Sequence, residues 1–190
     1  MKHFHNGFTL IELMITILIG SIILAAAFSQ VGLIVRNINL NSIQQSLMSG
    51  LFFARAEAIQ NGAQVVICAS NSIKSNSVSC TTTNNDWSTG WIVFIDKNNN
   101  GTLDPAFDRS SGAATRSSTD DEMLLMRHLE SSVTISWEKN NTILFLRDGT
   151  VPSANTGQFK LCDINNNSIA KGINISLSGR VRATDSVSCP

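Results

Sequence analysis

The hydrophobic pattern changes character twice along the chain. Met1–Gly7 is polar and carries Lys2, His3 and His5. Phe8–Phe28 is then apolar over 21 residues, with Glu12 as its only charge. At about 1.5 Å per residue such a helix covers about 30 Å, the hydrocarbon thickness of a bilayer. Further on the apolar residues become periodic. Ile43, Leu47, Leu51, Ala54 and Ala58 recur at spacings of four, four, three and four, which marks one face of a helix. No proline occurs between Phe8 and Gly62, and Asn61-Gly62 supplies a stop signal. The pattern predicts one long helix: a membrane segment over 8–28, then a continuation over 29–62 that packs on whatever follows.

Beyond Gly62 the period shortens. Ala63–Ala69, Gly90–Asp96, Met123–Leu129, Val133–Glu138, Thr142–Arg147, Gln158–Cys162, Ile173–Leu177 and Arg180–Ala183 are short apolar or alternating runs, read as strands. The Asn/Ser/Thr/Gly-rich stretches Ser70–Ser88 and Asn98–Asp121 read as loops. Sequential short strands favour an antiparallel sheet system, so residues 63–190 form a small β-rich domain. The fold class expected is α+β.

Charge adds a local asymmetry. Lys+Arg and Asp+Glu are both 14, so the net charge selects no partner. Between Asp86 and Glu138, however, nine acids face only Lys97, Arg109, Arg116 and Arg127. From Arg147 onward the balance reverses: Arg147, Lys160, Lys171, Arg180 and Arg182 against Asp148, Asp163 and Asp185. A basic ending is compatible with a polyanionic partner and also with ordinary surface charge.

A secretory signal places its cleavage site after the apolar core. Here the polar-to-apolar border precedes it, at Gly7–Phe8. Cleavage there removes residues 1–7 and keeps the helix. Glu12 then needs a reason, because a carboxylate within a spanning helix costs about 2.5–3.5 kcal/mol on insertion scales. One reading has it snorkel to the nearby interface. The other pairs it with the new amine that cleavage creates on Phe8 of a neighbouring subunit, which gives assembly a register.

Four cysteines, Cys68, Cys80, Cys162 and Cys189, suit an oxidising compartment and allow three pairings. Cys68–Cys80 would close a polar loop and Cys162–Cys189 would tie down the tail. No Cys-x-x-Cys occurs and two of the three histidines lie in residues 1–7, which argues against zinc. Asp96–Asp104 begins like a calcium loop, but its twelfth position is Phe107 instead of the bidentate acid, and Asn100-Gly101 is a tight-turn signal. A plain turn and a calcium site both stay open there. His128 has no nucleophile motif around it and no phosphate-binding glycine loop is present. Neither an enzyme nor a cofactor is expected.

Gly7-Phe8-Thr9-Leu10-Ile11-Glu12-Leu13-Met14 resembles the cleavage and methylation motif of type IV prepilins and type II secretion pseudopilins. The resemblance implies cleavage after Gly7 by a prepilin peptidase, N-methylation of Phe8, and packing with other pilins through the apolar helix, with Glu12 as the assembly residue. Trp87–Asp96, Gly157–Asp163, Ile173–Ser176 and Gly179-Arg180-Val181-Arg182 are similar to the GspH/FimT group of minor pilins and pseudopilins. That implies a type IV pilin-like fold, a long N-terminal transmembrane helix packed on a small antiparallel β-sheet domain. It also implies a single-pass inner-membrane protein with a periplasmic domain, later part of a filament. In FimT-like minor pilins the Gly-Arg-x-Arg ending belongs to a surface that binds double-stranded DNA during natural transformation. Carried over, this points to Gly179, Arg180 and Arg182, with Lys171 nearby in sequence.

Strand alternation agrees with that implication. It puts Arg180 and Arg182 on one face, roughly 7 Å apart, close to the phosphate spacing along one DNA strand. Guanidinium forks there could grip successive phosphates without reading sequence. The plainer alternative is that both arginines only solvate an edge strand. Three functions follow: a DNA-binding minor pilin, a minor pilin that only primes assembly, and an H-type pseudopilin of a type II secretion system.

Overall fold

The computed structural model describes residues 8–82, 85–105, 107–108, 120–130, 132–185 and 187–189, with the side chains of 26–30 and 167 left out. The expected leader 1–7, Gly7 included, and most of the polar loop around 109–119 lie outside the described residues. The chain forms two compact units that meet at Ile38/Asn39. One helix, α1 (Leu10–Asn61), supplies residues to both.

In the first unit the described apolar side chains are exposed around the helix, from Phe8, Leu10 and Ile11 to Leu24 and again from Val31 to Ile38. Such a surface has no inner face of its own to bury, so it needs a partner or a membrane. Among the described residues no helix is long and apolar enough to cross a membrane. The span expected over 8–28 includes residues 26–28, whose side chains are not described.

In the second unit α1 buries Ile43, Leu47, Leu51, Ala54 and Ala58, the periodic face read from the sequence, and Leu40 one turn before it. The helix closes with the Ala63 N–H donating to the Ala58 carbonyl at 3.3 Å. This face packs on two four-stranded antiparallel sheets. The first has the order β5 (Glu122–His128), β3 (Gly90–Ile95), β1 (Val65–Ala69), β7 (Thr142–Phe145). The second has the order β10 (Val181–Thr184), β9 (Asn166–Ile175), β8 (Gly157–Asp163), β6 (Val133–Trp137).

Burial explains the sequence pattern strand by strand. β1 and β3 are buried at every position, so both read as continuous apolar runs. One face of β1 and β3 meets α1 through Val65, Ile67, Trp91 and Val93. The other face, with Val66, Cys68, Ile92 and Phe94, is covered by Ile73, Val78 and Leu103 from the polar loops. β6 is covered on one side only and alternates buried with exposed.

Three findings differ from the expectation. Two-residue strands β2 (Ser77–Val78) and β4 (Phe107–Asp108) pair with each other inside stretches read as loops. β9 extends over 10 residues, back to Asn166, although the strand expected there begins only at Ile173. Its polar start is drawn into the ladder because β8 lies alongside, Cys162 opposite Ala170. Finally, β10 begins at Val181, leaving Arg180 in the preceding turn.

Candidate functional site

At the start of α1 the Thr9 side chain caps the helix. Its Oγ1 accepts the Glu12 N–H at 3.3 Å, and its carbonyl accepts the Leu13 N–H at 3.2 Å. Glu12 thereby occupies the third helical position, where a negative charge faces the positive end of the helix dipole. Phe8 and Glu12 are both exposed, next to the uncovered apolar surface.

The arginine site stands at the edge of the second sheet. β10 is an edge strand whose Val181 and Arg182 lie opposite Ile175 and Asn174 of β9. Val181 and Ile175 are buried; Arg180 and Arg182 are exposed. A depression of about 220 Å³ is lined by Asn174, Ile175, Ser176, Arg180 and Arg182, so the two arginines border one recess. Among the described residues neither forms an ion pair.

Arg180 is presented by a tight turn. The Gly179 N–H donates to the Ser176 carbonyl at 2.9 Å, and the Ser176 N–H to the Arg180 carbonyl at 3.1 Å. Gly179 has a φ of +68°, the left-handed region that glycine enters without strain. It also backs onto a second turn: a Cβ there would overlap the carbonyl oxygen of Gly149, whose own φ is +75°. The motif's glycine therefore answers to a close approach of two turns.

Lys171 is not brought to this face. It stands opposite the buried Leu161 of β8, one residue out of phase with Asn174, and therefore on the other side of the sheet. Its ammonium is bonded to Asp185 at 2.6 Å.

The acidic loop is closed by its own donors. Buried Asp96 accepts the N–H groups of Asn100 (3.2 Å) and Gly101 (2.7 Å) and the Gln64 amide (2.7 Å). Asp121 accepts the N–H groups of Lys97 and Asp104, each at 2.8 Å, while burial pushes its carboxyl above the ordinary range. Asp104, bonded by Asn100 and Thr102, is held below it. Among the described residues no His, Cys, Asp or Glu group is arranged to hold a metal. The structure contains two disulfides, Cys68–Cys80 and Cys162–Cys189.

Sequence reasoning passed over Arg55. From α1 it donates Nε to the Gly149 carbonyl at 3.0 Å and Nη2 to the Ser178 carbonyl at 2.9 Å. The available signal was its position beside Ala54, at the border of the helix's buried face.

An N-terminal helix with an uncovered apolar surface, packed further along on antiparallel sheets, is the architecture of a type IV pilin-like filament subunit. A model of the prokaryotic N-terminal methylation motif matches residues 2–28. The model described as type II transport protein GspH matches residues 44–179, most of the chain, and the chain belongs to that family. Pilins and pseudopilins are filament subunits, not enzymes. No curated protein matches the chain. Two crystal forms of the type IV minor pilin FimU of Pseudomonas aeruginosa PAO1 share the fold at 18% identity and a TM-score of 0.51. They cover 79% and 80% of this chain, and 96% and 92% of their own.

Proposed function

We propose that the chain is a minor pilin whose β domain binds double-stranded DNA without sequence preference during natural transformation. In this reading a prepilin peptidase cuts after Gly7, Phe8 is N-methylated, and residues 8–28 anchor the protein in the inner membrane. The domain then lies in the periplasm until Glu12 and the apolar helix take the subunit into a filament. The observation that carries the reading is the pair Arg180 and Arg182: exposed, bordering one recess, and without an ion-pair partner among the described residues.

The test is titration of the full-length protein in nonionic detergent with unrelated DNA duplexes at several salt concentrations. Duplexes should bind about equally, and binding should fall steeply with salt because each phosphate contact releases counterions. Arg180→Gln with Arg182→Gln should flatten the log–log salt slope by nearly two units, at about 0.9 per contact. An unchanged slope and affinity in a folded double variant would remove the arginines from the DNA site.

The family model's description favours a second reading, an H-type pseudopilin of a type II secretion system. There the double glutamine variant should leave protein export normal.

A further inference from the structure

Arg180 projects from the Ser176–Arg180 turn and Arg182 from β10, which follows directly on it. The bonds within Ser176–Arg180 shape that turn, and bonds from elsewhere tie it to the rest of the domain. The Val151 N–H donates to the Leu177 carbonyl at 3.0 Å, joining this turn to the end of the neighbouring one. Gly179 rests against the Gly149 carbonyl. The Arg55 guanidinium spans the junction, with one nitrogen on each turn.

From this arrangement we infer that Arg55 is the positioning residue of the arginine site, clamping the Ser176–Arg180 turn onto the Gly149 turn so that Arg180 and Arg182 meet phosphates already in place. The inference rests on the DNA-binding reading above. The acceptors are the main reason for it. Both are neutral main-chain carbonyls, so the guanidinium gains two charge-assisted bonds while no carboxylate among the described residues neutralises it. A planar fork with donors at fixed angles can hold two separate carbonyls, whereas an ammonium is a single point of charge. The two acceptors are 94 and 123 residues away in sequence, so the clamp exists only in the folded domain. Pre-ordering the turn removes an ordering cost that phosphate binding would otherwise meet.

Charge and geometry can be separated with Arg55→Lys, which retains the charge and loses the fork. In the full-length protein in nonionic detergent, duplex affinity is measured across salt, and amide hydrogen exchange is followed by mass spectrometry. Arg55→Lys should bind about fivefold more weakly, the scale of one lost hydrogen bond. Its salt slope should match the wild type, since no phosphate contact is removed. Exchange should quicken over Ser176–Arg180 while β1 and β3 stay protected. Wild-type affinity in Arg55→Lys overturns the inference, as does faster exchange throughout both sheets, which would make Arg55 a general structural residue. Arg55→Gln supplies the second check: a salt slope lower by about 0.9 would make Arg55 a phosphate contact instead. Absence of DNA binding by the wild type would instead overturn the DNA reading itself, and the inference with it.

Discussion

Cys189 is bonded to Cys162, a buried residue of β8, across a sequence separation of 27. The bond returns the chain beyond β10 to the interior of the second sheet. It thereby encloses β9, the Ser176–Arg180 turn and β10 in one covalent loop. β10 is a four-residue edge strand that, among the described residues, pairs only with β9, so the bond restrains the strand that carries Arg182.

Cys162→Ser with Cys189→Ser should therefore lower stability by about 3–4 kcal/mol on the loop-entropy model. Duplex affinity should fall as well, because a freed β10 no longer holds Arg182 beside Arg180. Denaturant melts of the oxidised protein and the double variant measure the first effect, and DNA titration the second. Equal melts would mean that the bond contributes nothing to the folded domain.

At the other end of the chain, mass spectrometry of assembled filaments should find Phe8 as the first residue, carrying a methyl group. Glu12→Gln tests the pairing of that amine with the carboxylate. Glutamine suits the third helical position under a threonine cap, so α1 should start normally. The variant should insert in membranes at least as well as the wild type, yet enter filaments poorly. Normal filament levels would leave Glu12 with the capping and dipole role alone.

Acid should act on the closed loop through Asp121. Burial raises its carboxyl above the ordinary aspartate value of 3.8, so the charged form is disfavoured in the folded state. The stability that this group contributes is complete below 3.8 and is lost as pH rises through its raised value. The stability difference between wild type and Asp121→Asn should thus move in the wild type's favour as pH falls from 7 towards 3.8. Chemical denaturation at a series of pH values reads this directly; a shift the other way would mean that its two N–H bonds outweigh burial. Asp104 acts in the opposite sense, since its lowered carboxyl supports the fold above 3.8 and loses that effect as pH falls through its own value.

Much of the architecture was legible because it rests on local periodicity. The α1 face from Ile43 to Ala58 repeats with the helix, and burial on both sides makes β1 and β3 continuous apolar runs. The start of β9 was not legible. Asn166 and Ser168 have turn chemistry, and only the neighbouring β8 makes strand the better conformation there. β2 and β4 were hidden for a related reason, each being a two-residue pairing whose partner lies in the other loop.

For the site, the chain by itself determined the border at Gly7–Phe8, the lone Glu12 in the apolar run, and the Gly179-Arg180-Val181-Arg182 ending. These are patterns of neighbouring residues, and neighbours are what a sequence records. Tertiary structure decided which cations share a face. Lys171 is nine residues from Arg180, yet strand phase sends it across the sheet to Asp185. Arg55 is more than a hundred residues from Ser178, yet its Nη2 donates to that carbonyl. Pairing register and close approach of distant turns arise from packing, and packing sets them without regard to separation along the chain.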